Sequence, residues 1–253
     1  MNLRAATPTR PEPAPARAPE AELIVFARSP EPGRVKSRLV PLLGAKGAAR
    51  LHARLVERTL KTARASGIPG IYLYCSPGIK GDFFRKMQAQ FKVRLRSQGR
   101  GNLGDRMYRA FRGHSCAVLI GSDCPALRPA DLRAAARALR EGADAVLAPA
   151  EDGGYPLIGL RRASRRLFEG IAWGGPRVMV QTRRRLKALR WRWQELRTLW
   201  DVDRPEDVVR LRRSRLLEAK VRPTSAAVRR RVPPSGGNPS RSGAPDRISV
   251  RRS

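Results

Sequence analysis

Four short apolar runs, Leu23–Ala27, Ile71–Cys75, Ala117–Ile120 and Ala143–Ala148, alternate with stretches of helical periodicity. This alternation constrains the fold more than any other feature. Runs this short suit strands buried on both faces, and a helix between consecutive strands suits a parallel sheet. The spacing of Leu51, Leu55 and Leu60 predicts a helix over Ala45–Ala65 that Gly67 and Pro69 end. Further helices are expected at Asp82–Gln90, Asp105–Arg112, Pro129–Arg140, Arg162–Glu169, Val178–Leu189 and Pro205–Arg212, with strands at Lys92–Arg96, Tyr155–Leu160 and Trp191–Leu199. The expected fold is a three-layer α/β/α sandwich with a mostly parallel central sheet. It should occupy residues 21–212. A Pro-rich tail with five prolines (1–20) and a basic, largely disordered tail (213–253) should flank it, with disorder after about Arg222.

Charge narrows the partners. The 253 residues carry a net charge of +32, which attracts anions: nucleotides, phosphosugars, nucleic acid or an acidic membrane. Three cysteines without CxxC spacing argue against zinc or a disulfide framework and fit the reduced cytoplasm. Two histidines leave little room for His-ligated metal or Ser–His–Asp chemistry. No apolar run approaches the ~20 residues of a membrane span, and the N-terminus has no apolar signal region.

Against that cationic background, carboxylates at strand ends stand out. Asp123 follows the Ala117–Ile120 run in Gly121-Ser-Asp-Cys-Pro125. In open α/β sheets, ligands bind outside the carboxyl ends of the strands. A carboxylate there suits a hard divalent cation carrying a phosphorylated ligand, and equally a turn Asp bonded to backbone N–H groups. Glu151-Asp-Gly-Gly-Tyr155 also follows a strand. Asp152 could bind substrate hydroxyls or act as a base, while a plain Gly-Gly turn explains the same residues.

Two other motifs have the same double reading. The loop Arg28-Ser-Pro-Glu-Pro-Gly-Arg-Val-Lys-Ser-Arg38 places Arg28, Arg34, Lys36 and Arg38 around Gly33, a pattern that cradles a diphosphate or is a solvated basic loop. In Asn102-Leu-Gly-Asp-Arg-Met107, Asp105 reads chiefly as a complement to a helix dipole. In Trp200-Asp-Val-Asp-Arg-Pro-Glu-Asp207, Asp201 and Asp203 point to opposite sides, so only one easily faces a given metal. Asp203-x-x-Glu206 there also reads as a capping box.

Six motifs in this order resemble one family. They are Phe26 to Leu39, Asn102 to Met107, Gly121 to Leu127, Pro149 to Leu160, Leu167 to Trp173 and Asp201 to Asp207. The chain is similar, over about Leu23 to Leu211, to bacterial glycosyltransferase-A-like proteins of the radical-SAM/selenodomain-associated or arsenosugar-biosynthesis type. The resemblance implies a nucleotide-diphosphosugar transferase (GT-A) fold. It places Arg28, Gly33, Arg34, Lys36 and Arg38 on the nucleotide-phosphate loop and makes Asp123 a metal ligand for Mg²⁺ or Mn²⁺. Asp203, ahead of Asp201, would be a second ligand. Asp152, Gly153 and Gly154 would face the sugar or acceptor, with Asp152 and Lys36 catalytic. Two positions depart from the family pattern. Pro156 stands where the family usually has an aromatic, and Gly174-Gly175 stands where it usually has Ser-Thr.

The resulting expectation is a cytoplasmic, metal-dependent glycosyltransferase taking a nucleotide-sugar donor and a small-molecule acceptor, with no specific nucleic acid and no membrane span. Nucleotidyl transfer from a nucleoside triphosphate, releasing pyrophosphate, is the nearest alternative. A non-catalytic nucleic-acid-binding protein is a third, weakened by an aromatic content of 6% and by the lack of RRM, KH or zinc-finger signatures.

Overall fold

The computed structural model describes residues 20–217. The Pro-rich segment before them and the expected disorder after Arg222 lie outside the described residues. The elements run β1 (Glu22–Arg28), a 3₁₀ turn (Ser37–Leu39), α1 (Val40–Ala65), β2 (Ile71–Ser76), α2 (Asp82–Phe91) and β3 (Arg94–Ser97). Then come α3 (Leu103–Arg112), β4 (Ala117–Gly121), α4 (Pro129–Arg140), β5 (Ala145–Ala148), β6 (Leu157–Leu160) and α5 (Arg165–Phe168). The last three are α6 (Val178–Ala188), β7 (Trp193–Glu195) and α7 (Pro205–Ser214).

The seven strands form one sheet in the order β3-β2-β1-β4-β6-β5-β7. All neighbours pair in parallel except β6, which runs antiparallel to both β4 and β5. The mostly parallel α/β architecture is therefore as the alternation predicts. Strand alternation sends Leu23, Val25 and Ala27 into a core with α1, α2 and α4. Ile24 and Phe26 face the other way, into a core with α3, α5 and α6. A smaller cluster, including Leu39, Leu55, Val202 and Leu211, seats α7 against α1.

Local chemistry sets the boundaries. The helix expected from Ala45 extends back to Val40 but is broken at Gly44, whose φ of 67° only glycine adopts at low cost. Asn102 caps α3: its side chain accepts from Asp105 N, while Asp105 accepts from Asn102 N. Asp105 is thus structural. The capping box expected at Asp203 and Glu206 is displaced by one residue. Arg204 is the N-cap, and Asp207 accepts from the backbone N–H groups of Asp203 and Arg204 at 3.0 and 2.7 Å. That shift leaves the Asp203 carboxylate free for other contacts.

Candidate active site

The β4 exit is where distant segments meet. Val202 N donates to the Asp123 carbonyl at 2.9 Å, which draws 200–203 alongside the end of β4. Lys36, in the left-handed region at φ 50°, reaches across both. Its side chain is 4% exposed; Nζ donates to Val202 O at 2.6 Å and lies 3.0 Å from Asp123 Oδ1 and 4.0 Å from Asp203 Oδ1. His52 of α1 also reaches Asp123. Its Nδ1 is 3.5 Å from Asp123 Oδ1, and its Nε2 bonds the Arg28 carbonyl at 3.1 Å. Sequence reasoning passed over His52, because its partner lies seventy-one residues away by chain and beside it only in the fold.

The electrostatics of the two aspartates differ. Burial of Oδ1 raises the Asp123 pKa, but the Lys36 ammonium and the His52 ring outweigh it and hold the carboxyl well below the usual carboxylate range. The rest of that side chain is open to solvent, with 45% of it exposed. Asp201 goes the other way. Burial, reinforced by the charges of Asp123 and Asp152, pushes it up to about 7. The Cys124 thiol, itself pushed up by burial and then by Asp201, bonds that carboxylate.

Asp201 lines two adjoining chambers that also share Asp152, Gly174 and Gly175. The polar chamber, about 360 Å³, adds Arg38, Trp200 and Asp203. The apolar one, about 220 Å³, adds Phe26, Leu103, Met107, Tyr155 and Trp173. Tyr155 and Trp173 meet edge to face at 6.5 Å. Asp152 reaches the rim because β5 and β6 form a hairpin, whose loop opens at the same sheet edge as Asp123. Its Oδ1 accepts from Gly154 N at 2.9 Å. Gly153 has φ 85°, and a Cβ there would stand 2.0 Å from the Pro176 carbonyl oxygen, so the hairpin loop is seated tightly on 176–179. Pro156 precedes the β6 ladder, and its carbonyl still accepts from Gly121 N at 2.9 Å.

The structure divides the residues that the sequence groups together. Lys36, Asp123, Asp203 and Arg38 converge, with Arg38 ion-paired to Asp203. Arg34 is exposed beside Glu31, 3.6 Å away, and Gly33 at φ 78° has open space around it. Arg28 departs from this set. It ends β1 on the face that strand alternation gives to Phe26, although its carbonyl bonds His52 Nε2 at 3.1 Å.

Among the described residues no group of three or more His, Cys, Asp or Glu encloses a metal site. A Mg²⁺-like ion bound with substrate phosphates needs only one or two carboxylates. Asp123 fits that requirement through the exposed remainder of its carboxylate, since Lys36 and His52 hold Oδ1, and Asp201 fits it through Oδ1, which is buried without a hydrogen-bond partner. Asp203 is less open, because Arg38 engages it.

A family model described as an uncharacterized protein conserved in bacteria (DUF2064) matches residues 59–175. Among solved structures, a candidate nucleotide-diphospho-sugar transferase from Desulfovibrio desulfuricans G20 is 30% identical, with a TM-score of 0.69 over 83% of this chain and 90% of that one. A CMP:2-keto-3-deoxy-manno-octonic acid synthetase complexed with CTP is 12% identical, with a TM-score of 0.54 over 79% of this chain and 100% of that one. A 4-diphosphocytidyl-2C-methyl-D-erythritol synthase from Anaerococcus prevotii DSM 20548 is 10% identical, with a TM-score of 0.53 over 79% and 99%. The last two share the fold. No curated protein matches the chain.

Proposed function

Because the chain belongs to the family of the Desulfovibrio desulfuricans candidate nucleotide-diphospho-sugar transferase, we propose that it is a transferase using a nucleotide-activated donor. The most economical reaction is glycosyl transfer from a nucleoside-diphosphate sugar to a small hydroxyl acceptor. The order of the six sequence motifs supports the radical-SAM/selenodomain-associated or arsenosugar type within that family. The carrying observation is that Asp201 and Asp152 line one cleft of a strongly basic protein, with Asp123 held beside Asp201 by the bond from Val202 N to the Asp123 carbonyl.

In this reading Asp123 and Asp201 hold a divalent cation, Mg²⁺ or Mn²⁺. Bound there, it supplies charge neutralisation for the departing diphosphate. Lys36 positions Asp123: its ammonium is buried, tied to the Val202 carbonyl, and keeps the carboxylate ionised and fixed. Arg34 and Arg38 are exposed and add charge-assisted hydrogen bonds to the diphosphate, while Gly33 leaves the backbone open to it. Asp152 at the cleft rim receives the acceptor hydroxyl proton as the anomeric carbon leaves the diphosphate oxygen. Gly153 and Gly154 shape the loop that presents it.

Thermal unfolding with nucleoside di- and triphosphates, with and without Mn²⁺, tests the reading, since a ligand of the native state raises Tm by mass action. Metal-dependent stabilisation by a nucleoside diphosphate, followed by its release from the matching nucleotide sugar, is the expected result. Pyrophosphate release from a triphosphate would move the chain to nucleotidyl transfer. No nucleotide response together with sequence-selective RNA binding would overturn both.

A further inference from the structure

Helices α1 and α7 line a groove of about 540 Å³ that shares no residue with either chamber of the cleft. From α1 come Leu43, Gly47 and Leu51, four residues apart, and from α7 come Val208 and Leu211, three apart. Each helix therefore turns one face to the groove. Leu217 extends the apolar lining. Its carbonyl accepts from Arg54 NH2 at 2.5 Å, and the Leu216 carbonyl accepts from Arg58 NH1 at 2.6 Å, so the chain leaving α7 is fastened back onto α1.

The groove is the open side of the smallest core cluster. Leu55, Val208 and Leu211 are buried within that cluster, whereas Leu43, Leu51 and Leu217 are only partly buried against it. An apolar helix face is stable when another element covers it. Charge says what the cover is. The remaining lining is Arg50, Arg54, Arg212 and Arg215, with no Asp or Glu. Among the described residues, no carboxylate is ion-paired with Arg50, Arg54 or Arg212. Arg50 and Arg212 are exposed. A second copy of this chain would bring a net charge of +32 to the same arginines, and the chain beyond Leu217 is itself rich in arginine. Neither complements the rim; an acidic partner does.

We propose that the α1–α7 groove docks an acidic amphipathic helix of another protein. Its apolar side chains, at helical spacing, would fill the floor between Leu43, Leu51 and Val208, and its carboxylates would meet Arg50 and Arg212. This surface is independent of the transferase reading. Because groove and cleft share no lining residue, helix and nucleotide should bind together.

The probe is a fluorescein-labelled peptide of about 15 residues, near the length at which an isolated helix forms in water. It carries Leu at i, i+3, i+4 and i+7 spacing, with Glu, Gln and Ala elsewhere. It is titrated into the full chain at about 0.15 M salt, where diffuse attraction is screened beyond ~8 Å. Saturable binding is expected, and a scrambled peptide of equal charge but no apolar face should bind roughly tenfold more weakly. Arg50→Glu combined with Arg212→Glu should weaken binding by roughly tenfold or more, whereas Arg166→Glu on α5 should leave it unchanged. All three positions are exposed and make no side-chain bond, so the variants retain the fold. Hydrogen exchange on the wild-type chain gives a reading without any variant: the peptide should slow exchange in α1 and α7 and leave α5 unaffected. Equal binding of the scrambled peptide, an equal loss in the Arg166 variant, or no binding by the wild type would overturn the proposal. So would displacement by nucleoside diphosphate, which would make the groove a substrate site. Displacement by phosphatidylserine vesicles would assign it to a membrane surface, and self-association of the wild type that the double variant abolishes would assign it to a second copy.

Discussion

Asp123→Asn should both destabilise the ligand-free protein and abolish its metal-dependent response to nucleotide. The first effect follows from Lys36. Its ammonium is almost wholly buried, and without Asp123 its remaining partners are the Val202 carbonyl at 2.6 Å and Asp203 at 4.0 Å. Removing one member of a buried ion pair costs about 3–5 kcal/mol. Asp123 is 45% exposed, so water already screens part of this pair, and about 1–3 kcal/mol is the appropriate scale. For a domain of this size, that lowers Tm by roughly 3–10 °C. Adding Lys36→Met to the variant removes the stranded charge, so the double variant should be more stable than the sum of the single effects. Thermal unfolding of the four proteins, each with and without nucleoside diphosphate and Mn²⁺, measures both effects. A ligand-free Tm equal to wild type would refute the buried-pair argument. A wild-type nucleotide response in Asp123→Asn would refute its role as a ligand.

Three further outcomes are expected. In chelator-treated protein, Asp201 has a folded pKa of about 7, above its unfolded value, so it binds more protons when folded. Stability should therefore fall as pH rises from about 4 to 7, and Asp201→Asn should flatten that slope in a pH series of melting curves. Gly153→Ala forces a Cβ against the Pro176 carbonyl at positive φ; chemical denaturation should show a loss of about 2 kcal/mol or more. Arg34→Ala and Arg38→Ala should weaken nucleoside diphosphate binding by about 1.5–3 kcal/mol each, read by calorimetry, whereas exposed Arg166→Ala should stay within about 0.5 kcal/mol.

The apolar runs carried the strands well, because burial on both faces leaves a signature in four or five consecutive residues. Direction was another matter. Nothing within Leu157–Leu160 tells that β6 runs backwards between β4 and β5; the cause is the short link from Ala148, too short for a parallel crossover. The carboxylates at strand ends were legible as candidates, since acids are scarce in this chain. Choosing between Asp201 and Asp203 was not. The preference for Asp203 came from the family likeness, whereas openness is set by Arg38, which reaches it across 165 residues of chain. The cap went to Asp207 for a similarly local reason, invisible in the pattern: Pro205 at the first turn puts Arg204 at the N-cap.

The reversed strand β6 gives the cleft unequal walls. Its hairpin loop is anchored by ladders on both stems, whereas the facing segment around Gly174 and Gly175 rests on short local bonds such as Gly175 N to Ala172 O at 3.3 Å. Substitutions or insertions on that facing side disturb no ladder. A lineage could therefore exchange the acceptor it serves by editing a handful of residues there, while the aspartates at the sheet edge stay in register. Gly174-Gly175 marks the place where such divergence costs the scaffold least.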